Sequence, residues 1–493
     1  MSATPPTAAP AGPAAPAGPA APPGPAAASA AAVADPMAML RSRSYVQLLV
    51  LAALLGVPVS AVAYFFLKLV ALLQNWVFTS LPTGIGFAGT PAWWPLPVLA
   101  VAGLLVGATI RYLPGTAGHR PAEGFTAGGA PTPAELPGVI LASLATLSLG
   151  VVLGPEAPLI AIGGGLAALA VHLVNKDAPP TAAVVIASAG SFAAISALLG
   201  SPILGAFLLM EASGLGGPVL GLVLVPGLLA AGVGTLIFVG LDSLTGFGSF
   251  SLSIPGLPPF SHPTGAMFLW ALAIGLLAAV VGTAIRLGGL ALQPLVERRM
   301  VGLTPVVGLA VGGVAILFTE VSGHGSSDVL FSGQSALPGL VVHASAWTVG
   351  ALVLLVACKS VAYGLSLSGF RGGPIFPAMF IGGAIGVAAS HLPGLSLVPA
   401  VAMGIGAMAT VMLRLPMTAT LLATLLLSSD GLAIAPLVIV AVVATYVIGA
   451  WLPQTPAGLR KGHTEPDEAG PEPTGEADVA AAADAPATTT GGA

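Results

Sequence analysis

Gly154-Pro155-Glu156-Ala157-Pro158, running on to Ile162-Gly163-Gly164, sets one carboxylate among apolar residues. A helix starting near Pro155 would direct unpaired N–H groups and a partial positive charge at the space before it. Such a helix end is a ready site for an anion. Glu156 lies in the first turn, so its carboxylate can occupy the anion's place. Protonation would remove the charge and release the side chain, and an anion could enter as the acid swings out. One residue would then link proton binding to anion binding, the elementary step of an exchanger or a proton-dependent gate. The alternative is a glutamate that only complements the helix dipole at a membrane surface. The cost of an acid among apolar neighbours favours the first reading.

The motif has an echo. Gly373-Pro374-Ile375-Phe376-Pro377 leads to Ile381-Gly382-Gly383 with the same internal spacing, and Ile375 stands where the first copy has its acid. The two copies are offset by 219 residues. Gly118-His119 and Gly323-His324 are offset by 205, and Gly190 with Pro202 recurs as Gly404 with Pro416 at 214. Three landmarks in the same order at similar offsets argue for an internal duplication.

The elements that must position these residues are membrane helices. Of 493 residues, 56% are hydrophobic and 6% charged, against about a quarter charged in a typical soluble domain. Apolar runs long enough to cross a bilayer recur through the middle of the chain. Backbone hydrogen bonding in lipid allows helices or closed barrels, and the chain lacks the period-2 alternation of a barrel. The fold class is therefore an all-α polytopic membrane protein. Pro 46 and Gly 66 are high counts and imply tilted, broken and closely packed helices. Residues 1–40 are expected to form a disordered Ala/Pro-rich cytoplasmic tail, 41–260 a first membrane repeat and 261–453 a second. Residues 454–493 are expected to form a disordered acidic cytoplasmic tail. Arg41 and Arg43 precede the first span, and Arg460 and Lys461 follow the last. This places both termini in the cytoplasm and makes the repeats inverted, with substrate near the midplane where half-helix ends meet.

Gly154-Pro155-Glu156-Ala157-Pro158 resembles the G-R/K-E-G-P gating motif of CLC chloride channels and proton/chloride antiporters. Gly373-Pro374-Ile375-Phe376-Pro377 resembles their G-x-F-x-P motif, and Lys359 matches a basic position before it. Phe207-Leu208-Leu209-Met210-Glu211 is similar to the segment carrying the antiporters' internal proton glutamate. The resemblance spans about Leu49 to Leu452. It implies a CLC-type fold of two inverted repeats of tilted, partly broken helices, and a homodimer with a pore in each subunit. It further implies that Glu156 is the external gating acid and Glu211 a proton-transfer residue. Gly118, Ala157, Ile375 and Phe376 would face the anion. The chain also departs from the family. Pro155 and Pro374 each lack an N–H that could face an anion, though proline suits a first helical turn. Gly118 stands where the family has its pore serine, in a barely recognisable Ala117-Gly118-His119-Arg120-Pro121. Tyr446 lies roughly three turns before the family's late pore tyrosine.

Transmembrane anion transport follows as the expected function, by proton-coupled chloride exchange gated by Glu156. A passive or proton-gated channel for chloride or fluoride on the same fold is the alternative. A secondary transporter for an organic solute would need more polar side chains at midplane. An enzyme is not expected, because no nucleophile–base pair, H-E-x-x-H or paired aspartates are present. No cofactor, metal site, nucleic acid or soluble partner is implied. The substrates are a small anion and protons, and the surroundings are the lipid bilayer of a bacterial inner membrane. The remaining charges have two readings each. Arg371 and Arg414 either attract anions at the cytoplasmic mouth or snorkel to an interface. Glu211 either carries protons or ends a helix in water. Lys359 is read as the partner of a helix C-terminus or an acid.

Overall fold

The computed structural model describes residues 41–125, 129–174, 180–214, 217–246, 254, 256–260, 262–427 and 431–456. The expected tail at 1–40 and most of that at 454–493 lie outside the described residues. The chain divides into two units, Met1–Val46 and Gln47–Ala493. The helices and sites below belong to the second unit, apart from the first residues of α1.

Apolar runs punctuated by Gly and Pro become helices. The first half contains α1 (Arg43–Asn75), α2 (Leu81–Gly84), α3 (Pro95–Tyr112), α4 (Leu136–Ser148), α5 (Glu156–Val174), α6 (Pro180–Leu199), α7 (Pro202–Ser213) and α8 (Gly217–Thr245). The second contains α9 (Gly265–Arg298), α10 (Met300–Ser322), α11 (Leu337–Val342), α12 (Val349–Gly369), α13 (Ile375–Ser390), α14 (Leu397–Leu413), α15 (Pro416–Leu426) and α16 (Gly431–Trp451). Among the described residues there is no strand, and the lone β-bridge joins Gly154 to Gly373. Nine of the described helical segments are long and apolar enough to cross a membrane. At 34 residues α9 is about 51 Å long, well beyond a hydrocarbon core of about 30 Å, so it must tilt. By contrast α7 and α15, with 12 and 11 residues, cannot cross alone.

The partly broken pattern expected from the prolines appears in the short helices α4, α7, α13, α14 and α15, though some prolines lie within continuous helices. In particular, α8 runs unbroken through Pro226 to Thr245. Neighbouring helices can absorb a proline's lost hydrogen bond in a membrane.

The two halves share a packing pattern. In the first, α6 packs against α5, α7 and α8; in the second, α14 packs against α13, α15 and α16. The crossings use the same device. A Cβ on Gly163 would meet Gly190 O, and one on Gly190 would meet Gly163 O. Gly382 and Gly404 bear the same reciprocal relation. Small residues let these backbones touch, which is how helices gain van der Waals contact in lipid. Across the halves, α3 lies on α10, where Gly103 approaches the backbone of Thr304 and Pro305.

Candidate functional site

The two motifs meet at their glycines. Gly154 N–H donates to Gly373 O at 2.7 Å, and Gly373 N–H donates to Gly154 O at 2.6 Å. Each glycine is followed by a proline, which cannot continue the pairing and suits a helix start. Accordingly α5 begins at Glu156 and α13 at Ile375. Two helix N-termini thus converge on one place, and Glu156 fills it. The residue is 0% exposed. Its Oε1 accepts the Phe376 N–H at 2.7 Å, and the N–H groups of Ile375 and of Glu156 itself are also within hydrogen-bonding reach of the carboxylate. Oε2 has no hydrogen-bond partner among the described residues. Both motif glycines are dictated by this side chain, since a Cβ on Gly154 or Gly373 would overlap the carboxylate.

Helix α12 braces the pair. Tyr363 O–H donates to Pro374 O at 2.9 Å, and Val152 N–H donates to Ser366 Oγ at 3.3 Å. One side chain thus holds the approach to each motif. Tyr363 is fully buried and close enough to Glu156 to interact with it electrostatically. One turn earlier, Lys359 Nζ reaches the carbonyls of Asp328, Val329, Leu330 and Phe331 at 3.0–3.3 Å and lies 4.3 Å from the Phe380 ring centre. The carbonyls belong to the end of a 3-10 turn, Ser326–Asp328, and the residues after it. Phe331 N–H in turn donates to Gly150 O at 3.1 Å, tying the loop to the residues before the first motif. Lys359, Tyr363 and Ser366 fall at i, i+4 and i+7, one face of a helix. Sequence reading isolated Lys359 and missed Tyr363 and Ser366. The signal was a polar stripe at helical spacing inside an apolar run.

On the other side of Ala157 lies a small cavity lined by Gly118, His119, Ser143, Ala157, Arg371 and Gly372, among others. Gly118 has φ +105°, in the left-handed region, and Ala117 beside it has φ 55°. A Cβ at Gly118 would find room, so backbone conformation selects glycine here over the expected serine. A hydroxyl does reach this wall from Ser143 of α4, though it donates to the carbonyls of its own helix. Arg371 is 4% exposed, which corrects the snorkelling reading. At the cavity's edge Arg120 pairs with Glu123 and Glu297, each at 3.1 Å. Burial works against the Glu123 carboxylate. Hydrogen bonds from Arg120 and Gln293, with the charges of Arg120 and His119, still hold it below its usual range.

Glu211 lies elsewhere. Its Oε1 accepts from Met417 N–H at 3.0 Å, and its Oε2 from Thr418 N–H at 2.7 Å and Thr418 Oγ1 at 2.6 Å. It therefore caps the first turn of α15 from the opposite half of the chain. Among the described residues no hydrogen bond or ion pair joins it to Glu156. A cleft bounded by Ile160 of α5, Ser191 of α6 and Met210 of α7 lies between the two acids' helices. Arg414 ends α14 and pairs with Gln454, and Tyr446 is 49% exposed. No group of three or more potential metal ligands occurs among the described residues.

Helical architecture, nine described segments long and apolar enough to cross a bilayer, and two convergent helix ends define a polytopic helical membrane protein. The chain belongs to the voltage gated chloride channel (CLC) family, whose profile matches residues 103–449. The protein named YfeO of Salmonella newport (strain SL254), assigned by its name only to ion transport, is 32% identical over 353 residues. That match covers 70% of this chain and 81% of the relative. The fold is shared with a CLC-type fluoride/proton antiporter at a TM-score of 0.61 and 19% identity, covering 82% of this chain and 95% of the other. It is shared also with a slow cyanobacterial Cl−/H+ antiporter at a TM-score of 0.65 and 18% identity, covering 83% and 95%. This chain thus has the CLC-type fold.

Proposed function

We propose that this membrane protein exchanges a small anion, chloride in the first instance, for protons, with Glu156 as the gate. The observation that carries the proposal is the Glu156 carboxylate held by the Phe376 N–H between two helix N-termini. An ionised Glu156 blocks the site as a tethered anion. Protonation cancels its charge and weakens a charge-assisted hydrogen bond, and the anion then competes for the same donors. Oε2, without a partner, offers the proton a place without breaking another bond. The amides of Ala157, Ile375 and Phe376 are the proposed donors, with Gly118 at the inner approach. Glu211 is proposed as the proton station on the far side, and the cleft between Ile160 and Met210 supports that route.

Arg41, Arg43, Arg460 and Lys461 beside the first and last spans support both termini in the cytoplasm, the Salmonella relative supports a bacterial inner membrane, and the short helices α7 and α15 support a homodimer. The alternative is a passive or proton-gated channel for chloride or fluoride. It is favoured by the cap that Glu211 provides to α15, which ties up the second protonatable group.

The test is reconstitution in lipid vesicles, with anion flux and proton uptake measured together for chloride and fluoride. Wild-type protein is expected to drive protons uphill when an anion gradient is imposed. Glu156→Gln should abolish proton movement and leave anion flux independent of pH. Anion flux that never moves protons in the wild type would exclude exchange and leave the channel.

A further inference from the structure

We infer that Arg286 and Arg414 form a binding site for the phosphate group of an anionic phospholipid, at the membrane face where α16 ends. The site is separate from the gate and depends on the membrane fold alone.

Arg286 lies in α9, Arg414 ends α14 and Gln454 follows α16. These three helices pack against one another. Arg286 is 8% exposed, and its Nη2 donates to Gln454 Oε1 at 2.6 Å. Nη2 of Arg414 donates to the same oxygen. The Gln454 amide is fixed in this orientation, because its Nε2 donates to Gly449 O at 2.6 Å and to Leu452 O at 3.0 Å. Two guanidiniums therefore converge on one neutral acceptor. Among the described residues neither forms an ion pair. The charge close enough to act on Arg286 is that of Arg414, which has the same sign. Glu211, which the fold brings to the start of α15, gives its oxygens to Met417 and Thr418. Like charges held this close repel, and a guanidinium cannot escape by losing its proton at ordinary pH. An anion between the two removes the repulsion.

Donor geometry and depth decide which anion. A guanidinium presents a fork of N–H groups, and among the described residues Gln454 takes a single donor from each. A phosphodiester offers a pair of unesterified oxygens, one for each fork, whereas a halide makes no such directed match. Counted from Gly265, where the apolar run of α9 begins, Arg286 comes 21 residues later, about 32 Å along the axis. That is close to one hydrocarbon thickness of about 30 Å. Trp451, the last residue of α16 and 84% exposed, marks the same level, because tryptophan collects where acyl chains meet headgroups. Arg414 is exposed there, so a headgroup can reach it. Phospholipid phosphates lie at this depth, and one bound here would tie α9, α14 and α16 together at their common face.

Native mass spectrometry and thermal melting of the detergent-purified full chain test this, with phosphatidylglycerol, phosphatidylcholine or sodium phosphate added. The wild type should retain phosphatidylglycerol and melt higher with it. It should retain phosphatidylcholine less, because choline cancels the headgroup's charge. Arg286→Gln and Arg414→Gln should each weaken phosphatidylglycerol retention by about tenfold to a hundredfold, the range for losing a hydrogen bond to a charged group. Arg414 is exposed, so Arg414→Gln serves if the buried variant does not fold. Without lipid, Arg414→Gln should melt no lower than the wild type, because it loses a like-charge repulsion. Arg111→Gln, exposed in the last turn of α3, changes the net charge equally and should retain lipid as the wild type does. Unchanged retention in folded Arg414→Gln, or an equal loss in Arg111→Gln, overturns the inference. A rise in melting temperature from sodium phosphate as large as that from phosphatidylglycerol would make this a site for the free ion and overturn the lipid assignment. A lower melting temperature of Arg414→Gln without lipid would mean that the pair holds an acidic segment of the chain itself, which overturns it as well.

Discussion

Glu156 can lie against the Phe376 amide because Gly373 has no side chain. A Cβ at Gly373 would overlap Oε2 and come to 3.0 Å from Ala157 N. Gly373 is not among the residues with left-handed φ, so alanine can keep the backbone pairing with Gly154. Gly373→Ala should therefore displace the carboxylate and leave the two helix starts in place. Anion flux is then expected to persist at alkaline pH, where the proposed mechanism has an ionised Glu156 hold the wild type closed. Vesicle efflux followed across a pH series measures this, and a wild-type pH profile would show that the carboxylate's seat does not set the gate. The seat itself was legible in the sequence because an acid in an apolar run needs hydrogen-bond donors, and a proline-marked helix start supplies them. Its opposite wall at Phe376 was legible because the motif recurs. Tyr363 was not, since it lies eleven residues before Pro374 on another helix and reaches the site only through the fold. Arg371 was seen, but its burial was not: a cation near a helix start reads the same whether it faces headgroups or a cavity.

Among the elements, α15 is held by a side chain from the other half of the chain. Glu211 accepts from two of its first-turn amides and one hydroxyl. Capping of this kind contributes about 1 kcal/mol, and an ionised cap also complements the helix dipole. The same contact makes a second role testable. Glu211→Gln keeps an acceptor for α15 and cannot exchange a proton; Glu211→Ala loses both. The alanine variant is expected to lower the melting temperature measurably. The glutamine variant should fold normally and move anions with fewer protons. Full coupling in Glu211→Gln would reduce Glu211 to a cap. The partner of Glu211 was hidden from the sequence because Thr418 lies 207 positions away and polar residues at helix starts are common. The helices themselves were largely legible from their apolar runs. The duplication was visible because glycines that must cross in contact, Gly163 with Gly190 and Gly382 with Gly404, cannot drift to larger residues without separating the helices. Continuity through Pro226 was not legible, because a proline marks a break only where no neighbouring helix makes up for the lost hydrogen bond.

At the scale of the molecule, the short helices raise the question of what covers them. With 12 and 11 residues, α7 and α15 fall short of the roughly 20 needed to span a bilayer, so their ends lie within its thickness. Helix ends carry unpaired backbone groups, which lipid cannot satisfy. Glu211 and Thr418 join the two helices on their inner side, whereas Ile203 is 60% and Met417 52% exposed. A second copy of the chain, meeting these helices with the same pair, would shield both ends and give the homodimer proposed above. The single cysteine, Cys358, is buried, so a cysteine introduced at the surface would be the accessible thiol. Met417→Cys in native membranes should form a covalent dimer with a short bifunctional thiol reagent. Leu269→Cys, on α9 and 71% exposed, should remain monomeric under the same treatment. Because each subunit holds its own Glu156 against its own Phe376, a cross-linked pair of one wild-type and one Glu156→Gln subunit should couple protons to half of its anion flux. Loss of all coupling in the mixed pair would mean that the two gates work as one, and monomer alone from Met417→Cys would remove the dimer through this face.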